Sequence, residues 1–112
     1  MKTEMMGSKK MNIFDIPNVP MTEELTEILT QSKNVRIERV VSTGQVSPNG
    51  FWYDQGENEF VLLVQGEAVI GYENDQIKLM AGDTLFIPAH QKHNVQYTST
   101  EPACIWVCVF YY

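Results

Sequence analysis

From Asn34 to the end of the chain, apolar and polar residues alternate in short runs, and turn residues cut those runs at near-regular intervals. Val35 to Val41 is a β-branched run. Strand-like runs follow at Phe51–Asp54, Phe60–Val64, Ala68–Tyr72, Gln76–Met80, Thr84–Ile87, Asn94–Thr98 and Ala103–Tyr111. Between them stand Ser47-Pro-Asn-Gly50, Gln65-Gly66, Asn74-Asp75, Ala81-Gly82-Asp83 and Glu101-Pro102, the residues that turns require. Many short strands at such spacing predict a β-sandwich or a small barrel. Upstream the pattern differs. Pro17 and Pro20 punctuate the approach, and Thr22 can cap a helix reaching Gln31. Glu23 and Glu24 suit its first turn, and Leu25, Ile28 and Leu29 supply an apolar stripe. The expected organisation is a flexible tail over residues 1–11 and one domain over 12–112, with a helix at about 22–31.

The period of two also assigns faces. In the run from Asn94, alternation puts His93, Val95 and Tyr97 together, and apolar Val95 marks that face as interior. Glu59 shares a face with Val61 and Leu63, so a carboxylate joins the imidazole inside. Tyr53 and Gln55 alternate onto one face just upstream. Ile105 to Tyr112 is apolar on both faces, which predicts burial on both. One face packs the core, and the other is expected to meet a second copy in a homodimer. Arg36, Glu38 and Arg39 read as a solvated or interfacial face.

The chemistry concentrates between Gly82 and His93. Both histidines of the chain, His90 and His93, fall in this segment, just after Pro88 closes a strand. An interior imidazole needs a hydrogen-bond partner or a metal.

These residues resemble the motifs of small single-domain cupins. The second cupin motif runs Gly, five residues, Pro, one residue, Gly, two residues, His, three residues, Asn. Gly82, Pro88 and His93 stand on it in register, with His90 at the inner glycine and Tyr97 at the asparagine. The first motif runs Gly, five residues, His, one residue, His, three or four residues, Glu, six residues, Gly. Glu59 and Gly66 match, and the shorter spacing puts Tyr53 and Gln55 at the two histidine positions. The resemblance spans roughly residues 35 to 111. It implies an all-β, double-stranded β-helix (jelly-roll) barrel with a divalent metal inside. Only Glu59 and His93 keep the family's ligand types. Gln55 and His90 are the candidates to complete the set, with Tyr53 and Tyr97 as pocket residues. Such mixed N/O donors suit Zn, Fe(II), Mn or Ni. The function so implied is a metal-dependent enzyme on a small molecule. The alternatives are a non-catalytic cupin that binds a small ligand or a metal, and a barrel whose site has decayed.

Composition narrows the field further. The chain has 112 residues, the length of one domain, with 44% hydrophobic and 20% charged residues as in ordinary globular proteins. A formal net charge of -6 argues against nucleic acid, which needs clustered Lys and Arg. No apolar run reaches the ~18 residues of a membrane span, and the start of the chain lacks the apolar core of a secretory signal. Cys104 and Cys108 sit four apart on one strand face, ~13 Å from each other. That exceeds the ~7 Å a disulfide allows, so both thiols are expected reduced, as in a cytoplasmic protein.

Overall fold

A computed structural model describes residues 9–18 and 21–112. The expected tail over residues 1–11 lies largely outside the described residues. The described residues form eight strands: β1 Leu25–Ser32, β2 Val35–Ser42, β3 Asn58–Gln65, β4 Glu67–Tyr72, β5 Asp75–Met80, β6 Thr84–Ile87, β7 Asn94–Thr98 and β8 Cys104–Tyr111. They pair antiparallel into a five-stranded sheet, β1-β2-β8-β3-β6, and a three-stranded sheet, β5-β4-β7. This is the jelly-roll barrel. Among the described residues no helix is long and apolar enough to cross a membrane.

The core fills the space between the sheets. Leu63, Ile70, Leu79, Ile87 and Trp106 anchor it, with Val61, Ala68, Cys104 and Cys108 between them. The inward set comes from alternate positions of each strand, as the pleat requires. At Gly66 the β3–β4 hairpin turns with φ +97°, and an added Cβ would lie 2.8 Å from Cys104 Sγ and 2.9 Å from Cys104 Cα. Only glycine fits there, for space as well as for conformation.

The helix expected at 22–31 is instead β1. This segment pairs with β2 along its whole length, from Leu25 opposite Val41 to Ser32 opposite Val35. A bulge makes Leu29 an extra residue, since Ile28 faces Glu38 while Thr30 faces Ile37. The bulge disturbs the period of two and leaves Leu25, Ile28 and Leu29 at a spacing that imitates a helix. A tertiary contact completes the preference for strand. Glu27 Oε1 accepts from Arg39 Nε at 2.6 Å, and Arg39 is buried. The same guanidinium donates to the carbonyls of Ile13 and Asp15, at 3.1 and 2.8 Å. The segment before β1 is thereby tied across the outer face of the large sheet.

Two further expectations shift. Phe51–Asp54 forms no named strand, only an isolated bridge from Tyr53 to His93. In β7, Val69 faces Tyr97 while Ile70 faces Val95, so Gln96 is the extra residue of a second bulge. Tyr97 is turned outward by it and is 48% exposed. The Gln96 side chain lies over Gly71 on the neighbouring strand, where a Cβ would sit 2.0 Å from Gln96 Nε2. An isolated glycine within a strand is the sequence signal for such a bulge.

Candidate functional site

The two sheets leave a cavity of about 180 Å³ at one end of the barrel. Its chemistry is set by Glu59 at the start of β3 and by His93 just before β7, both buried. His93 Nε2 faces Glu59 Oε1 at 3.6 Å. His93 Nδ1 lies 2.9 Å from the carbonyl oxygen of Gln91. A carbonyl only accepts, so Nδ1 carries a hydrogen and Nε2 is the nitrogen that gains or loses one. A neutral ring would aim the Nε2 lone pair at an anion. Burial lowers the basicity of the ring, but the facing Glu59 carboxylate and the Gln91 carbonyl outweigh it and raise the His93 pKa above its ordinary value of 6.5.

Three neighbours hold this pair in place. Gln55 Nε2 donates to Glu59 Oε1 at 3.2 Å. The Tyr53 ring stacks on His93, with centroids 5.2 Å apart and 25° between planes. Paired backbone hydrogen bonds join Tyr53 and His93, at 2.7 and 3.2 Å, which fixes the stack. Burial, then the charges of Glu24 and Glu59, push the Tyr53 phenol up, so it stays protonated as a donor. Cys108 enters from β8. Burial and then Glu59 push its thiol well above its ordinary range, so it stays neutral.

Gln55, Glu59, His93 and Tyr53 therefore meet, as the sequence predicts. His90 and Tyr97 do not join them. His90 sits at the rim with its side chain 72% exposed, and its Nδ1 lies 2.9 Å from Asp54 Oδ1. It occupies the left-handed region with φ 67°, the conformation for which glycine is usual at that place. Its backbone N–H donates to the Gln55 carbonyl at 2.7 Å, so it ties the two loops together from outside. Tyr97 is carried away by the bulge at Gln96.

Other lining residues escaped the sequence reading. Glu24, Thr26 and Glu38 line the cavity, as do Trp106 and Phe110. The sequence reads Glu38 as part of a solvated or interfacial face. Its alternation with Val40 is the signal for the interior, since Val40 also lines the cavity. Arg36 shares that face, donates to Glu38 Oε2 at 2.6 Å and lies over the Phe110 ring at 4.4 Å. Its other nitrogens hold Glu57 at 2.9 and 3.2 Å.

As a metal centre this constellation falls short. It offers one imidazole nitrogen and one carboxylate, and that carboxylate is already shared with Gln55 and His93. Among the described residues no three His, Cys, Asp or Glu side chains gather closely enough to hold an ion. Catalytic zinc sites ordinarily use three protein ligands, and His90 does not supply the third. What the arrangement offers is a carboxylate and an imidazole in contact inside the cavity.

The cupin domain family pattern matches residues 39–110. Of the solved structures, a Ralstonia eutropha protein provisionally named mannose-6-phosphate isomerase is 37% identical, with a TM-score of 0.89 over 93% of this chain and 98% of that one. A cupin superfamily protein of Desulfitobacterium hafniense is 23% identical, with a TM-score of 0.72 over 85% and 83% of the two chains. A Thermus thermophilus protein at 16% identity gives a TM-score of 0.75 over 93% and 97%. Among curated proteins none matches the chain. With the jelly roll, the glycine and proline of the second motif and an inward acid and imidazole in place, the chain belongs to the cupin domain family.

Proposed function

We propose that the barrel binds a small organic molecule and that Glu59 and His93 act on it as an acid–base pair. The observation that carries this reading is the 3.6 Å approach of His93 Nε2 to Glu59 Oε1 inside the cavity. In the protonated pair the imidazolium is a donor and the carboxylate an acceptor, and both line the space a ligand would occupy. Raising the His93 pKa moves its titration toward neutral pH, where a general acid–base group is most effective. Tyr53 adds a neutral phenol donor, and Gln55 holds the carboxylate in position.

The name of the Ralstonia neighbour points to isomerisation. Such a reaction moves a proton between adjacent carbons, which an acid–base pair can do. The phosphate in that name does not transfer as readily. Among the described residues no Lys or Arg lines the cavity, and a phosphate group needs such a partner. The divalent-metal reading has Gln55, Glu59 and His93 as its donor set, and we place it second because that set holds one imidazole and one carboxylate.

Proton transfer is tested by incubating the protein in deuterium oxide with a panel of neutral hydroxy-aldehydes and ketones. Solvent deuterium entering carbon is followed by NMR. The expected result is exchange that disappears in both Glu59→Gln and His93→Gln. Ligand binding without any exchange would make the chain a binding module.

A further inference from the structure

We infer that the cavity selects a small organic cation, a primary or methylated ammonium carried on an apolar body of about one ring. This rests on the reading of the cavity as a small-molecule site and names the class of its ligand. Three carboxylates line the cavity from separate elements: Glu24 ahead of β1, Glu38 on β2 and Glu59 on β3. Among the described residues no Lys or Arg lines it, and the only lining base is His93, already facing Glu59. Glu38 is offset by Arg36 behind it. Glu24 is not offset in this way: its carboxylate accepts from the neutral Ser42 hydroxyl at 2.7 Å, which in turn accepts from Trp106 Nε1 at 3.1 Å. The charge of Glu24 therefore stands unneutralised by that contact, and it is felt across the cavity at the Tyr53 phenol and the Cys108 thiol.

The walls suit a cation as well as the charges do. Tyr53, Trp106 and Phe110 line the cavity, and aromatic faces attract cations through their quadrupole. The arrangement already holds one cation in this manner, since Arg36 lies over Phe110 while bonded to Glu38. The remaining walls, from Val40, Val61, Ile70 and Ile87, are apolar. The volume of about 180 Å³ admits a body of one ring, given that an apolar cavity of roughly 150 Å³ takes up benzene. An anion would meet the carboxylate of Glu24, the one lining carboxylate that neither Arg36 nor His93 faces, and would be repelled by it.

Three probes of matched shape separate charge from fit: benzylammonium, benzyl alcohol and benzoate, titrated at low ionic strength and neutral pH by calorimetry or ligand-observed NMR. Benzylammonium is expected to bind at least about tenfold tighter than benzyl alcohol, with benzoate weakest. Glu24→Gln keeps the acceptor for Ser42 and is expected to reduce the benzylammonium advantage by about tenfold, leaving benzyl alcohol unchanged. Benzoate binding as tightly as benzylammonium overturns the cation assignment and leaves the small-molecule reading standing. Equal weakening of both probes by Glu24→Gln also overturns it. Failure of all three to bind overturns both readings together.

Discussion

Glu59 lies on β3 of the large sheet and His93 just ahead of β7 of the small one, yet their side chains meet at 3.6 Å inside the barrel. The contact exists because β3 and the start of β7 both present their inward positions at the same end of the cavity. Burial by itself would drive the imidazole to its neutral form, and the carboxylate reverses that preference.

That reversal is measurable. A group whose folded pKa is raised contributes stability that is complete below its unfolded value, here 6.5, and is lost as pH rises through the folded value. The NMR titration midpoint of His93 is expected above 6.5 and should fall in Glu59→Gln. Stability to urea should decline as pH increases from 6.5 through that midpoint, and Glu59→Gln should remove this part of the pH dependence. A wild-type midpoint below 6.5 would contradict the pairing.

The two thiols give an independent check on burial. Cys104 and Cys108 are both free and buried, and Cys108 is held protonated by desolvation and Glu59. The thiolate is the reactive form. Native protein at pH 8 should leave Cys108 unlabelled by a thiol reagent over many minutes, and labelling should follow at once in guanidinium. Rapid native labelling at Cys108 would mean that the cavity opens far more widely than the structure has it.

Arg39 holds the outer face together. Its buried guanidinium satisfies Glu27 and the carbonyls of Ile13 and Asp15. Arg39→Met is expected to cost about 1–2 kcal/mol in urea unfolding, because the carbonyls of Ile13 and Asp15 lose their donor while the half-exposed Glu27 carboxylate turns to water. The same change should expose the segment around residue 14 to proteases. Unaltered stability in Arg39→Met would show that these contacts are replaced by water without loss.

Chelation tests the donor set. Because only Glu59 brings a carboxylate up to the His93 imidazole, EDTA should leave the melting temperature unchanged. Elemental analysis of untagged protein, after supplementation with Zn, Fe, Mn and Ni, should find well below one ion per chain. Stoichiometric metal that disappears in His93→Ala would restore the metal-centre reading.

The homodimer expected from β8 remains our proposal, and its surface can be named. Ile37, Val109, Phe60 and Phe86 are successive partners across the large sheet on its outer face. Phe60 is 40% exposed and Phe86 50%. A neighbouring pair of exposed phenylalanines suits a second copy of the same apolar row, because a two-fold interface pairs a patch with itself. Light scattering should give a dimer, and Phe86→Lys should shift it to monomer. A monomeric wild type at high concentration would rule the interface out.

Much of this was legible in the sequence where local rules act alone. Strands β6 and β7 have their predicted bounds, since Gly82 and Pro88 fix where one can begin and end. The inward placing of Glu59 and His93 followed from the pleat, whose period of two holds wherever no bulge intervenes. What tertiary structure decided lies where pairing partners change the count. Leu29 is an extra residue only because β1 lies against β2, so a segment with helical spacing became a strand. Gln96 is an extra residue only because of how β7 lies against β4, so Tyr97 left the cavity. Glu24, just ahead of β1, reaches the cavity only because β1 lies against β2, whereas Glu38 reaches it by the pleat that it shares with Val40. A bulge and a cross-sheet contact are properties of two segments together, and no single stretch of sequence contains either one.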